Sequence, residues 1–208
     1  MATTDNANGN GAKASKHIPA KIYEKWVKPN MIAVCTDALV IDNKGSLVLG
    51  IRDIEPVKGL AWIIGGRVPN GMAMEPAVRK KVLQETGLDV AVAGLAGIYR
   101  RVYEKGEKRD DLVFTYVAVA TGGELRQDFQ HSRYISISGY GTEFDSLHER
   151  VRQPIVDSSI FEKRGSSTVA QLLREAADSG NGRIDPTYYR MIRDMRTSTP
   201  FHDDVTPL

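Results

Sequence analysis

Cysteine is almost missing from this 208-residue chain, and the single thiol at Cys35 excludes an intramolecular disulfide framework and any cysteine-rich zinc centre. An excess of one charge is missing too. Lys plus Arg is 28 against 26 for Asp plus Glu, a formal net charge of +2, so no global field draws the chain to nucleic acid or to an acidic membrane. Long apolar runs are lacking: the longest, residues 90–98, is far shorter than the roughly 20 residues that cross a bilayer. The opening MATTDNANGNGAKASK has no apolar segment of the kind a secretion signal needs. The expectation is a soluble protein of a reducing cytoplasmic compartment, with no nucleic-acid or membrane partner.

What is present reads as one core with an appendage. Residues 1–19 are too polar to offset the entropy of ordering and are expected to be a disordered tail. Ile22-Tyr23 and Trp26-Val27 then form a short helix or strand. Residues 31–42, MIAVCTDALVID, are β-branched and apolar, Asn43-Lys44-Gly45 is a turn, and residues 46–51 are a second strand of the same hairpin. Residues 54–60 are a loop with Pro56 and Gly59, followed by a short apolar strand at 61–64. Met74, Ala77, Val78 and Val82 fall at helical spacing, and Gly87 is placed to stop that helix. Strands are expected at 90–92, 97–103, 112–120, Leu125 and 134–137, with a charged hairpin loop at 104–111. Val169, Leu172, Leu173 and Ala176 predict an amphipathic helix ending at Ser179-Gly180. Asp185-Pro186 supplies an N-cap and first-turn proline for a last helix bearing Tyr188, Met191, Ile192 and Met195. Strands, one helix, more strands and terminal helices together predict an α+β fold with a mixed sheet.

Residues 65–88, GGRVPNGMAMEPAVRKKVLQETGL, resemble the Nudix box, the strand-loop-helix signature of hydrolases acting on nucleoside diphosphates linked to another group. Gly66 and Gly87 close the box spacing without a gap, and Glu75, Ala77, Val82, Glu85 and the Thr86-Gly87-Leu88 ending suit it. The resemblance implies a Nudix-like α/β/α sandwich with a mixed sheet: a tail at 1–19, the Nudix-like domain at 20–165, and a helical C-terminal extension at 166–208. The chain departs from the pattern at its carboxylates. The usual acidic positions are Met72, Lys81, Gln84 and Glu85, and one carboxylate cannot gather several hard cations, each of which needs several oxygen ligands.

Outside the box the chain resembles the GDP-mannose mannosyl hydrolase branch, which has a shortened acidic set. Asp37 matches an acidic residue of that branch, Arg52 and Arg67 match two diphosphate-binding arginines, and Tyr103 matches a tyrosine of the same site. In DFQHSRYISI, Gln130 falls on the branch's metal-binding glutamine and His131 on its catalytic histidine. The resemblance implies one Mg²⁺, or Mn²⁺, held by Glu85, Gln130 and a backbone carbonyl near Gly65, and a homodimer hydrolysing a nucleotide-sugar. Water would attack the anomeric carbon with His131 as base, and Asp37, the second catalytic residue, would position the sugar or assist charge development. Lys81 is tolerable there, since a single metal leaves its position free to be non-acidic. Asp37 on an apolar strand costs several kcal/mol to bury unless it is paired. His17, His148 and His202 are expected to face solvent. Two other readings stay open: a non-catalytic ligand-binding module, suggested by Met72, Lys81 and Gln84, and a conventional pyrophosphatase drawing carboxylates from Glu104 or Glu107.

Overall fold

A computed structural model describes residues 25, 31–104, 109–180, 184–185, 187–189 and 201–202. The tail, the segment at Ile22 to Val27 apart from Lys25, Glu107, and Met191, Ile192 and Met195 of the last expected helix lie outside the described residues.

The hairpin is β1 (Ile32–Ile41) and β2 (Leu47–Arg52), antiparallel, with Ile41 opposite Leu47. Its turn closes where Asp42 Oδ1 accepts from the Lys44 and Ser46 amides at 2.8 and 2.9 Å, while Gly45 takes a positive φ of 79°. Next come β3 (Ala61–Trp62), β4 (Ile64–Arg67), helix α1 (Met74–Thr86), β5 (Leu88–Tyr103), β6 (Arg109–Gly123) and β7 (His131–Ile137). Helices α2 (Thr142–Asp145) and α3 (Glu149–Ser158), a small β8/β9 ribbon (Lys163–Arg164, Ser167–Thr168), α4 (Val169–Ser179) and β10 (Phe201–His202) complete the order.

The sheet is mixed, running β10-β5-β6-β1-β2-β3. Its central β1/β6 pair is parallel and its β5/β6 pair antiparallel. Side-chain alternation feeds two cores. Ala38, Val40, Val92 and Ala118 point to the side covered by Val78 and Val82 of α1, and Leu39, Ile41, Ala93 and Val119 point to the side covered by α3 and α4. These are the expected α+β class and α/β/α layering. The C-terminal extension contributes Leu173, Ala177, Ile184 and Tyr189 to the same core as the sheet.

Three element expectations need correction. The strands expected at 90–92 and 97–103 are one strand, β5, because register shifts at Gly94 and Gly97 absorb the break in its apolar pattern. Those glycines leave room for the Tyr189 ring and the Tyr99 hydroxyl, which lie 2.4 Å from where a Cβ would stand. Leu125 is not in a strand; it is exposed between β6 and β7. Helix α3 was not expected, because Pro154 sits inside it.

Candidate active site

Helix α1 sets the site. Val78, Val82 and Glu85 are all buried, so the spacing that packs the helix onto the sheet also carries the box's one remaining carboxylate inward. Gly87, with φ 78°, stops the helix as its sequence position implies. Glu85 is 2% exposed. Its Oε1 accepts from Gln130 Nε2 at 3.2 Å and from Lys81 Nζ at 3.5 Å, while its Oε2 is buried with no hydrogen-bond partner among the described residues. Burial raises the Glu85 pKa to about 7 against the opposing pull of Lys81. Tyr134 fixes the helix end by donating to the Glu85 carbonyl.

Gln130 is shared. Its Oε1 accepts from Arg52 Nη1 at 3.3 Å, so Glu85, Gln130 and Arg52 form one hydrogen-bonded line linking α1, the turn before β7 and the end of β2. One residue on, His131 is 1% exposed. Asp128 Oδ1 accepts from the amides of Gln130 and His131 at 3.0 Å each and contacts His131 Nδ1 at 2.9 Å. A carboxylate only accepts, so Nδ1 carries the hydrogen and Nε2 is the lone-pair nitrogen of the neutral ring. Nε2 is buried without a partner among the described residues. Burial lowers the His131 pKa, and Asp128 acts in the opposite sense.

On the other side of Arg52 lies a small pocket. Its wall includes Asp37, Arg52, Gly65, Gly66, Trp62 and Tyr103, together with Arg101, Arg109 and Asp111. Asp37 faces Gly65 across the β1/β4 ladder and is buried at 6%. The pairing that its burial demands is supplied by Arg101, whose Nη1 donates to Asp37 Oδ2 at 2.7 Å. Burial opposes the Arg101 charge, and Asp37 with Tyr103 more than restores it, holding the guanidinium above its ordinary range. Arg109 forms an ion pair with Asp111, its Nε 2.9 Å from Asp111 Oδ2, and lies 4.5 Å over the Tyr103 ring.

The structure thus brings Glu85, Gln130 and Arg52 into contact, and places Asp37, Arg52, Gly65 and Tyr103 around one pocket. Arg67, on the β4 rung opposite Cys35 and in the field of Asp111, and His131 are not part of that wall. Glu104 is exposed. Sequence reasoning missed Arg101, Arg109, Asp111 and Asp128. A signal existed for the first three: Arg100-Arg101 and Arg109-Asp110-Asp111 lie at the two ends of the charged hairpin, where Arg101 pairs with Asp111 and Tyr103 with Arg109 in its register. Two histidines also differ from expectation. His148 is half-buried and caps α3, and His202 stacks on Tyr99 with ring centroids 5.2 Å apart.

Several solved structures share the architecture. A MutT Nudix hydrolase of Burkholderia pseudomallei superimposes with a TM-score of 0.53 at 20% identity, over 62% of this chain and 98% of that one. A Nudix hydrolase of Nitrosomonas europaea gives a TM-score of 0.54 at 10% identity, over 85% and 81%. The chain has the Nudix hydrolase fold. The box-like segment, residues 65–88, runs from the end of β4 through a loop and α1 to the first residue of β5. No protein-family model matches the chain. By sequence, the Nudix-fold chain is 25% identical over 146 residues to the low-salt glycan biosynthesis protein Agl8 of Haloferax volcanii, covering 68% of this chain and 90% of that protein. It is 29% identical over 114 residues to an ADP-ribose pyrophosphatase of Methanocaldococcus jannaschii, covering 55% of this chain and 64% of that one.

The fold implies a divalent cation, and the donor set accommodates one ion rather than several. Glu85 Oε2 is a buried carboxylate oxygen without a partner among the described residues, and Gln130 meets the same carboxylate through Nε2 while its Oε1 accepts from Arg52, so it would offer a metal its oxygen only with the carboxamide turned over. Among the described residues no group of three or more His, Cys, Asp or Glu is arranged to hold a metal. A single Mg²⁺, which keeps much of its water and takes few protein oxygens, suits so sparse a set; a multi-metal cluster does not.

Proposed function

We propose that this chain hydrolyses a nucleoside diphosphate sugar of the GDP-mannose kind by water attack at the anomeric carbon, releasing the nucleoside diphosphate and the free sugar. The observation that carries this reading is the Glu85–Gln130–Arg52 line, with one box carboxylate, beside an arginine-walled pocket. The names of the two sequence relatives, an ADP-ribose pyrophosphatase and a glycan biosynthesis protein, agree with a substrate that joins nucleotide and sugar.

Arg52 presents planar donors to the phosphate oxygens from the pocket wall, and Arg67, next to Gly66 of that wall, would turn to join it as substrate enters; their hold strengthens as charge grows on the leaving diphosphate. Glu85, Gln130 and the Gly65 carbonyl would hold Mg²⁺, or Mn²⁺ in its place, which supplies Lewis-acid neutralisation of that charge. Asp37, whose pKa burial raises against the opposing pull of its partner Arg101, faces the electron-poor sugar. The water oxygen bonds to the anomeric carbon, the glycosyl C–O pair leaves with the diphosphate, and the water proton passes to His131 Nε2. That ring is sealed in the state described here, so the step needs the 128–131 turn to part as substrate enters.

Turnover of GDP-mannose and GDP-glucose with Mg²⁺ in ¹⁸O-water tests the reading, with ADP-ribose, which has no anomeric bond to its diphosphate, as a substrate for attack at phosphorus alone. Label in the sugar is the expected outcome. Label confined to phosphate establishes attack at phosphorus and the conventional pyrophosphatase reading. Tight binding without turnover across the panel establishes the ligand-binding module.

A further inference from the structure

Glycine suits the middle of a strand poorly, because it has no side chain to pack and much backbone freedom to lose. Gly50 nevertheless stands in β2 with a strand on either side: it pairs with Trp62 of β3 and with Tyr134 of β7. It is buried, and its φ is not positive, so no left-handed turn requires it. The His131 ring occupies the space of the missing side chain. A Cβ on Gly50 would stand 2.9 Å from His131 Cγ and Nε2, and closer still to Cδ2. The ring has little freedom to give way. Asp128 Oδ1 holds its Nδ1 at 2.9 Å, and the Tyr134 ring lies against it with centroids 5.7 Å apart. The Asp53 amide ties the turn to the end of β2 by donating to the Gln130 carbonyl at 2.8 Å.

A bulge brings the two residues together. Strict alternation along β7 would send His131 and Tyr134 to opposite faces of the sheet. The ladder instead shifts register between Ile51 and Arg52: Ile51 pairs with Arg133, Arg52 pairs with His131, and Ser132 is skipped. His131 thereby turns to the face of Gly50 and Tyr134, the side on which Tyr134 packs with Val78 and Val82 of α1.

We infer that Gly50 is the positioning residue of His131: its missing side chain is the seat in which the imidazole lies against β2, and the seat sets where Nε2 starts from when the 128–131 turn parts. A methyl group there would displace the ring by about 1 Å, enough to cost a reacting group about a hundredfold in rate. The part Gly50 plays in turnover rests on the reading of His131 as the base; its contact with the ring does not.

The test compares Gly50→Ala in the full chain in two backgrounds, wild type and His131→Ala. In the wild-type background, Gly50→Ala should lower the melting temperature by about 3 °C or more. It should also speed carbethoxylation of His131 by diethyl pyrocarbonate, read by peptide mass spectrometry. The kcat on GDP-mannose should fall by about tenfold or more, with KM changed by less than about twofold. In the His131→Ala background the same methyl enters vacated space, so the melting temperature should hold or rise and kcat should fall no further. Equal losses in both backgrounds overturn the seat, because they place the cost elsewhere in β2. A Gly50→Ala variant that matches the wild type in melting and in His131 reactivity overturns it as well. If Gly50→Ala does not fold, a folded double variant supports the seat and an unfolded one overturns it. Absence of GDP-mannose turnover in the wild type overturns the nucleotide-sugar reading, and melting and carbethoxylation still decide the seat.

Discussion

At the scale of single residues, the acids and bases of this site are set by what each one touches rather than by its type. Asp128 had no motif to mark it, yet its Oδ1 gathers the Gln130 amide, the His131 amide and His131 Nδ1. It therefore fixes a proposed metal donor and the proposed base in one turn. Asp128→Asn keeps an oxygen acceptor for the two amides but removes the charge and offers an NH₂ that favours the opposite imidazole tautomer. The expected result is a folded protein with kcat on a nucleotide-sugar down by at least about tenfold. Imidazole ¹⁵N chemical shifts should show the hydrogen leaving Nδ1. Unchanged shifts together with an unchanged kcat would rule out an orienting role.

Elements are governed by their ends. Helix α1 was legible because Gly87 and the apolar spacing agree, and Glu85 follows Val78 and Val82 onto the buried face. Helix α3 was not legible, since Pro154 removes a helical N–H and its N-cap is a histidine. His148 Nδ1 accepts from the Arg150 amide at 3.1 Å, which only an unprotonated Nδ1 does. Burial pushes the His148 pKa below its ordinary value. The unfolded chain therefore takes the proton first, and stability gained from the cap is present above about pH 6.5 and lost as pH falls through the folded pKa. His148→Asn supplies a cap that does not titrate there. The melting temperature of the wild type should fall relative to His148→Asn by about 2–4 °C between pH 7.5 and pH 5, the size expected for losing a cap worth about 1 kcal/mol. Parallel melting curves across that range would discount the cap.

Across the whole molecule, Arg101 joins the layers. It is 2% exposed, its Nη1 bonds Asp37 on β1, and its Nη2 donates to the Arg150 carbonyl at 3.3 Å. Arg150 is the residue whose helical acceptor role Pro154 vacates, so the proline that obscured α3 also opens a carbonyl for the sheet to bind. Arg101 lies 5.5 Å over Trp62 as well, which ties the pocket wall to the same cation. Arg101→Met leaves Asp37 buried without its cation. Urea unfolding should show a loss of about 3–5 kcal/mol, and Asp37→Asn with Arg101→Met should recover part of it. A loss under about 1 kcal/mol would mean that solvent reaches the pair.

The one-dimensional pattern decided what depends on short spacing. Alternation along β1, β2 and β6 fixed which side chains enter each core, Gly45 and Gly87 fixed a turn and a helix stop, and the box length fixed where Glu85 would fall. Only the tertiary structure decided the partners of the charges. Gln130 reaches Glu85 across 45 positions and Arg101 reaches Asp37 across 64. A buried charge is tolerated only when a counter-charge or donor meets it, and which one does so depends on how distant strands lie side by side.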